Sequence, residues 1–412
     1  MSAYVDLPDH LQERLRQMSQ RVQLPLPEPP KPSCGWKFPV AIPYISPAAK
    51  QSVCKALDEG LISSATRPIK EFEDELMKYF NVSTVKACNS GYSALVLCLR
   101  LAGIKTGDEV LVPSLTMVAV PNAVSTVGGE SVFIDVGRDY NPTVQQIESV
   151  ITSKTKAVLV THTYGVPADL EGARRVCNER NLILIEDISE CIGTWYNEVI
   201  TGTIGDFAAA SLYANKLITS GDGGFVLSKH REWNGISLQY QVDSLANHGF
   251  VPNYHFVHFD QSGNYKMGGL AAALITPAVR DIPKLLAHRT QLATWYRNYL
   301  SDIPGITLMP KSSYGPDAPW VFGVEVKDRK RRHDIRCAMA TKGIETRDFF
   351  IPLHLQPAFQ RGEIPPNLPQ SEHLGEVGFY LPTHFHLNNH DVLHICNVLR
   401  VASGAEEFQG DT

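Results

Sequence analysis

Short apolar runs alternate with amphipathic stretches along most of the chain. From Ile42 onward, β-rich runs are separated by segments in which apolar side chains recur with helical spacing. The predicted strands are Glu109–Pro113, Ser131–Asp135, Ala157–His162, Leu182–Asp187, Phe207–Leu212 and Phe225–Ser228. Short apolar strands that alternate with helices indicate an α/β fold, in which a mostly parallel sheet is covered on both faces.

The helical periodicity predicts several helices around these strands. They are Gln51–Glu59, Ile69–Phe80, Ala94–Ala102 and a long helix from Pro277 to about Leu300. For the long helix we expect Thr276 as the N-cap and Pro277 at the first helical position, where proline is well tolerated. The later segments Trp320–Val326, Arg332–Lys342 and His390–Val401 predict a smaller α+β domain.

The N-terminal residues differ in composition from the rest of the chain. Leu11–Val22 is typical of a short polar helix, and the PLPEPPKP segment after it predicts an extended chain. We therefore expect an arm at residues 1–39, a large domain at 40–250 and a smaller C-terminal domain at 251–412. The arm is either disordered or lies across a partner subunit.

Composition narrows the class of protein. The 412-residue chain is 43% hydrophobic and 20% charged, as in globular enzymes, and its net charge of -5 does not favour nucleic-acid binding. No apolar run is long enough to span a bilayer and the N-terminus lacks the apolar stretch of a signal peptide, so we expect a cytoplasmic location.

The cysteines and histidines do not indicate a metal site. The eight cysteines are scattered and form no CxxC pair, which is typical of reduced thiols. His255, His258, His384 and His386 are closely spaced, but no cysteine or carboxylate completes a metal-binding motif around them. We therefore expect no bound metal.

Three segments carry residues suited to chemistry at the ends of predicted strands. Asp187 ends an apolar strand, where it is either a helix N-cap or the partner of a protonated pyridine nitrogen. Lys216 follows another strand and is either a solvated charge or an amine that forms a Schiff base. The third segment, CNSGYSA, begins a helix with small residues, as an ordinary Ser cap or a phosphate seat would.

Ligands in open α/β sheets bind beyond the carboxyl ends of the strands, so we expect these three segments to meet. Together they supply a phosphate seat, a partner for a ring nitrogen and an imine-forming amine. This combination predicts a site for pyridoxal 5′-phosphate (PLP).

Longer blocks of the chain, from about Val40 to Val401, resemble the DegT/DnrJ/EryC1/StrS family of PLP-dependent sugar aminotransferases. The blocks that carry the resemblance are SLYANKLITSGDGGF around the lysine, IEDISECIG around the aspartate and CNSGYSAL at the phosphate turn. The resemblance implies the type I PLP-enzyme fold. That fold has a large domain with a mostly parallel seven-stranded sheet and a smaller C-terminal α+β domain.

The resemblance also implies roles for individual residues. Lys216 is expected to bind PLP covalently, and Asp187 to contact the pyridine nitrogen. The other expected cofactor contacts are Gly91, Tyr92, Ser93 and Ser211 at the phosphate, Met117 at the ring face, Glu190 near the 3′-hydroxyl, and Asn264 at the phosphate of a neighbouring subunit. The last contact implies a homodimer. Tyr92 stands where a small hydroxyl residue is usual, so its backbone N–H would have to bind the phosphate.

The implied reaction is transamination of a nucleotide-linked keto-sugar, with L-glutamate as the amino donor. The segment GIETRDFFIPLHLQP most resembles 4-aminotransferases that act on GDP-4-keto-6-deoxymannose. Within it, Arg347 is either an anion contact or half of a surface salt bridge, and His354 either touches the sugar or makes a structural hydrogen bond. The alternatives are a UDP- or dTDP-linked 3- or 4-keto sugar, a PLP enzyme that acts on amino acids alone, and a non-catalytic relative.

Overall fold

The computed structural model describes residues 28–251, 254, 256–360 and 366–408. The expected helix at Leu11–Val22 lies outside these residues.

A seven-stranded sheet forms the centre of the large domain and confirms the predicted architecture. In chain order its strands are β1 Thr84–Cys88, β2 Glu109–Pro113, β3 Glu130–Ile134, β4 Thr155–Val160, β5 Ile183–Asp187, β6 Phe207–Ser211 and β7 Gly224–Ser228. The spatial order is β1-β7-β6-β5-β4-β2-β3. Only β7 runs against its neighbours β1 and β6, and the other pairs are parallel.

Strand β1 was not among the predicted strands. Lys86 interrupts its apolar run, and a charged residue in a short segment weakens the strand signal. In the folded chain the Lys86 ammonium lies 3.2 Å from a carboxylate oxygen of Glu73 and 2.8 Å from one of Asp243. These carboxylates belong to neighbouring helices. The charge of Lys86 is therefore paired only once the chain has folded, and no local pattern predicts this strand.

Helices cover both faces of the sheet. They are α1 Pro47–Asp58, α2 Arg67–Phe80, α3 Gly91–Leu101, α4 Ala119–Thr126, α5 Val144–Ser149, α6 Leu170–Arg180, α7 Leu238–Ala246 and α8 Gly269–Leu300. Successive strand residues enter different cores, as alternation requires: Ile185 packs with α3, whereas Leu184 packs with α6. No helix within the described ranges is both long and apolar enough to cross a membrane.

Helix α8 begins eight residues before the position that we expected. It starts at Gly269, and Pro277 lies inside it rather than at its first position. The Thr276 hydroxyl donates to the carbonyl of Ala272 at 2.7 Å instead of capping the helix. The extra turns bury Ala272 and Ile275 in the core, and we attribute the early start to this burial, which overrides the proline signal.

The smaller layer is built on a four-stranded antiparallel sheet. Its strands are β8 Ile306–Leu308, β9 Phe322–Val326, β10 Arg347–Asp348 and β11 Gly378–Leu381, in the order β8-β9-β11-β10. Its helices are α9 Arg329–Thr341, α10 Pro369–Val377 and α11 Asn389–Ala402. Helix α8 contacts both α2 and α11, and so links the two layers. The division of the chain at residues 39 and 250 stays a prediction.

The end of the expected N-terminal arm packs on this smaller layer. Phe38 is buried in its core and forms a parallel bridge with Ile344. The backbone N–H groups of Lys37 and Phe38 both donate to the carbonyl of Gly343, at 2.8 and 3.0 Å.

Candidate active site

A cavity of about 420 Å³ lies where β5 and β6 end and α3 begins. The large domain contributes Gly91, Tyr92, Met117, Thr161, Asp187, Glu190, Ser211 and Lys216 to its wall. The smaller layer contributes Trp320, Arg347, Phe350 and Tyr380. The structure thus brings together the three segments that sequence reasoning singled out, at the carboxyl ends of parallel strands.

The first turn of α3 forms an anion seat. Ser90 is the N-cap, and its hydroxyl oxygen accepts from the backbone N–H of Ser93 at 3.1 Å. Gly91 follows, and a Cβ on it would lie 2.5 Å from the Cβ of Ser211 and 2.8 Å from its Cα. Glycine therefore lets the helix start directly against β6. The N–H groups of a first helical turn and the positive end of the helix dipole favour a phosphate.

The side chains around this seat have different roles. The hydroxyl of Tyr92 forms a hydrogen bond with that of Thr126, at 2.5 Å. The group of Tyr92 that can bind an anion is therefore its backbone N–H. The hydroxyl of Ser93 donates to Asn89 at 2.6 Å, and Ser93 does not line the cavity. Ser211 lines the cavity, and its hydroxyl oxygen accepts from the backbone N–H of Tyr213 at 3.3 Å. Of the four predicted phosphate contacts, the geometry leaves Gly91, Tyr92 and Ser211.

Asp187 is a buried carboxylate at the end of β5. Its oxygen accepts from the backbone N–H of Ser189 at 2.9 Å, and the chain then turns without starting a helix, so the N-cap alternative does not hold. Burial raises the pKa of Asp187, while the hydrogen bonds from Ser189 and the charge of Lys216 act in the opposite direction. A buried carboxylate is costly unless a cation faces it, and a protonated pyridine nitrogen would be such a cation.

Lys216 is largely buried rather than solvated, with 11% of its side chain exposed. Its ammonium nitrogen lies 3.6 Å from a carboxylate oxygen of Glu190 and 3.8 Å from the ring centroid of Trp320. The carboxylate and the aromatic face hold the amine at the cavity wall. This position suits covalent attachment of a cofactor aldehyde.

Glu190 is the second buried carboxylate of the cavity. It accepts from the backbone N–H of Tyr164 at 2.7 Å. Burial raises the pKa of Glu190 to about 7, although the charge of Lys216 opposes the shift. The carboxyl is therefore able to gain or lose a proton near neutral pH, beside the amine of Lys216.

Met117 and Arg347 also line the cavity. Met117 is half exposed, as a residue that covers a ligand face would be. Arg347 lies in register with Tyr380 across the β10–β11 pair, and its guanidinium is 3.0 Å from a carboxylate oxygen of Glu345. The surface salt bridge considered for Arg347 is thus present, but half of the side chain remains exposed and it still faces the cavity.

Two predicted site residues lie outside the cavity. Asn264 is exposed, and its carbonyl accepts from the side chain of Asn89, next to the anion seat. His354 is buried, with Nδ1 2.6 Å from the hydroxyl of Ser114 and Nε2 3.2 Å from a carboxylate oxygen of Glu372. The structure gives His354 the hydrogen-bonding role that was considered for it and does not bring it to the cavity.

The cavity-wall residues that sequence reasoning missed include Thr161, Trp320, Phe350 and Tyr380. Trp320 and Tyr380 lie more than a hundred residues after Lys216 and are part of no local motif. The sole sequence signal is that each adjoins or lies in an apolar strand.

The residues present fit PLP. The cavity combines an anion seat at a helix start that only glycine lets pack against Ser211, a buried carboxylate in need of a cation, and a buried amine. These groups match the phosphate, the ring nitrogen and the aldehyde of the cofactor.

Comparison with known proteins agrees with this geometry. Residues 43–400 match the DegT/DnrJ/EryC1/StrS aminotransferase family. The chain is 31% identical to a GDP-perosamine synthase of Escherichia coli O157:H7, over 87% of this chain and 96% of that protein. It is 32% identical to a UDP-N-acetyl-3-dehydro-alpha-D-glucosamine 3-aminotransferase of Acidithiobacillus ferrooxidans, over 80% of this chain and 87% of that protein.

Solved structures confirm the expected fold. A DegT/DnrJ/EryC1/StrS aminotransferase from Brucella abortus superimposes with a TM-score of 0.80 at 27% identity. The match covers 87% of this chain and 95% of that one.

The Gly91→Ala substitution tests the anion seat. The added Cβ would force α3 away from β6, so we expect PLP affinity to fall by about tenfold or more. The measurement is a PLP titration followed by absorbance. Gly268→Ala is the matched control, because its Cβ would meet no atom closer than 3.7 Å. Equal PLP affinities in the Gly91 and Gly268 variants would contradict the seat.

The Glu190→Gln substitution tests the buried carboxyl. Because its pKa rises from 4.5 to about 7 in the folded protein, its stabilising effect is complete below pH 4.5 and lost as pH rises through 7. In PLP-free protein we therefore compare the Tm of the variant with that of wild type at two pH values. We expect the variant's Tm minus the wild-type Tm to be about 2 °C or more larger at pH 8 than at pH 5. Glu179→Gln, at an exposed position, should show no such pH dependence. A Tm difference between variant and wild type that does not change with pH would show that the pKa of Glu190 is not raised in the folded protein.

Proposed function

Because the chain belongs to the DegT/DnrJ/EryC1/StrS aminotransferase family, we propose that it transfers an amino group from L-glutamate to the keto group of a nucleotide-linked sugar. Enzymes of this family depend on PLP. The observation that carries the proposal is the meeting of Lys216, Asp187 and the start of α3 in one cavity.

Several residues of the cavity would act in the proposed reaction. PLP, when bound, supplies an electron sink for the carbon that loses its proton. Asp187 would keep the ring nitrogen protonated, and the first turn of α3 with Ser211 would hold the phosphate. Nζ of Lys216 would take the proton from Cα of glutamate and later deliver a proton to the sugar carbon, so one amine serves both halves of the reaction. Glu190 would hold a proton beside it.

For the substrate we propose a GDP-linked 4-keto-6-deoxyhexose, converted to the 4-amino sugar. The similarity to GDP-perosamine synthases of three bacteria, each at 31% identity, supports this choice. Arg347 would bind the donor carboxylate or the nucleotide diphosphate, since half of its side chain is exposed. The alternative is a UDP- or dTDP-linked keto sugar, as the similarity to a UDP-sugar 3-aminotransferase indicates.

We also propose that the enzyme is a homodimer with shared active sites. Tyr254, Phe256 and Phe259 expose 65%, 79% and 75% of their surface on the segment just before Asn264. Such large exposed aromatic side chains favour a protein interface. A second copy of the chain is the partner we propose, and Asn264 of one subunit would then contact the phosphate in the other.

The first test is the Lys216→Ala substitution. Wild-type protein with PLP should show a visible absorbance band that glutamate converts to the pyridoxamine form. The variant should lose turnover by about 10³-fold or more, because no other group replaces its amine. Lys154→Ala, at an exposed position, is the control and should behave as wild type. A wild-type band that glutamate leaves unchanged would overturn the aminotransferase proposal.

The same absorbance band ranks the substrates. After conversion by glutamate, each candidate nucleotide keto-sugar is added and the rate at which the band returns is measured. The proposal requires the GDP-linked 4-keto-6-deoxyhexose to be fastest. A faster UDP- or dTDP-linked sugar would establish the alternative.

The shared site is tested by mixed dimers. Asn264→Asp places a negative charge at the partner's phosphate, so this variant and Lys216→Ala should each be nearly inactive alone. Co-expressed with different tags, they form hybrids that contain one intact site, and the purified hybrid should regain about half of the wild-type rate. An Asn264→Asp protein with full activity, or a hybrid without recovery, would contradict a contact across the interface.

A further inference from the structure

A second cavity, of about 640 Å³, adjoins the first. The two share Met117, Arg347, Phe350 and Tyr380 in their walls, so a long substrate can occupy both. The volume lies within the range of small-molecule sites. The outer cavity therefore offers room for the part of a substrate that does not react.

One wall of the outer cavity comes from residues 28–36, which precede the family match at residue 43. Within this segment Glu28, Pro29, Lys31 and Trp36 line the cavity. The family match does not include this wall.

Contacts with the smaller layer hold residues 28–36 in place at both ends. At one end, Glu28 forms an ion pair with Arg336, which is itself buried. At the other end, the backbone of Lys37 and Phe38 hydrogen-bonds to Gly343. Between them, Gly35 donates to the carbonyl of Pro32 at 3.0 Å and closes a turn. The intervening residues are thus held beside the cavity by contacts within the same chain.

The chemistry of this wall suits a nucleoside diphosphate. Trp36 is half buried and offers an aromatic face on which a base can stack. Lys31 and Arg347 supply cations for phosphate oxygens. The carboxylates of Glu28 and Asp348, which also line the cavity, both pair with Arg336. Glu345 pairs with Arg347, so that guanidinium would be shared between Glu345 and a phosphate.

We propose that residues 28–36 form the wall of the nucleotide-binding part of the active site, with Trp36 stacked on the base and Lys31 paired with the diphosphate. This inference rests on the proposed function, since it assigns the nucleotide half of the same substrate. It makes the N-terminal segment a determinant of substrate specificity.

The test is calorimetric titration of the full-length, PLP-loaded protein with GDP, UDP and dTDP. Trp36→Ala should weaken binding of the preferred nucleotide about tenfold or more, and Trp36→Phe should restore most of the affinity because it retains an aromatic face. Lys31→Ala should weaken binding about fivefold, and less so at high salt. Ser33→Ala is the matched control, because Ser33 belongs to the same segment but does not line the cavity. Circular dichroism and the PLP absorbance band check that each variant is folded.

Equal affinities in wild type, Trp36→Ala and Lys31→Ala would overturn the inference, as would a wild-type protein that binds none of the three nucleotides. Neither result overturns the aminotransferase half-reaction, which the response of the wild-type band to glutamate reports separately. A protein without that response would fail as an aminotransferase whatever its nucleotide affinity.

Discussion

The first turn of α3 lies directly against the end of β6, where a Cβ on Gly91 would come within 2.5 Å of the Cβ of Ser211. This close approach places free N–H groups of a helix next to a strand end, and so creates an anion seat at the edge of a parallel sheet. Asp187 and Lys216 derive their position from the same edge, because they follow the neighbouring strands β5 and β6. The rest of the cavity is built around this contact.

The second constraint is electrostatic. Asp187 and Glu190 are both buried, and burial raises the pKa of each. Lys216 offsets part of the cost, since its ammonium lies 3.6 Å from Glu190. Asp187 has the backbone N–H of Ser189 and a more distant cation, so the arrangement is completed by a positively charged ligand. The cavity thus suits a cofactor with a protonated ring nitrogen.

The site is also composite. The large domain provides Asp187, Lys216 and the anion seat, whereas the smaller layer provides Trp320, Arg347 and Tyr380. The register of the β10–β11 pair sets Arg347 opposite Tyr380, at the border of the two cavities. The N-terminal segment then extends the wall outward. In the assignment that we propose, groups for the reaction and groups for substrate selection come from separate parts of the chain, so substrate preference could vary while the chemistry stays the same.

The sequence by itself determined six of the seven strands of the central sheet, the amine, the aspartate at the end of β5 and the helix that begins at the anion seat. Each of these features depends on a local sequence pattern. Apolar runs predict the strands, and the carboxyl ends of parallel strands lie at the same edge of the sheet for any loop conformation. Only the tertiary structure decided the early start of α8, the strand around Lys86, the exclusion of Ser93 and His354 from the cavity, and the wall that contains Trp320 and Tyr380. These features arise from packing and charge pairing between residues far apart in the chain, and no local pattern encodes such contacts.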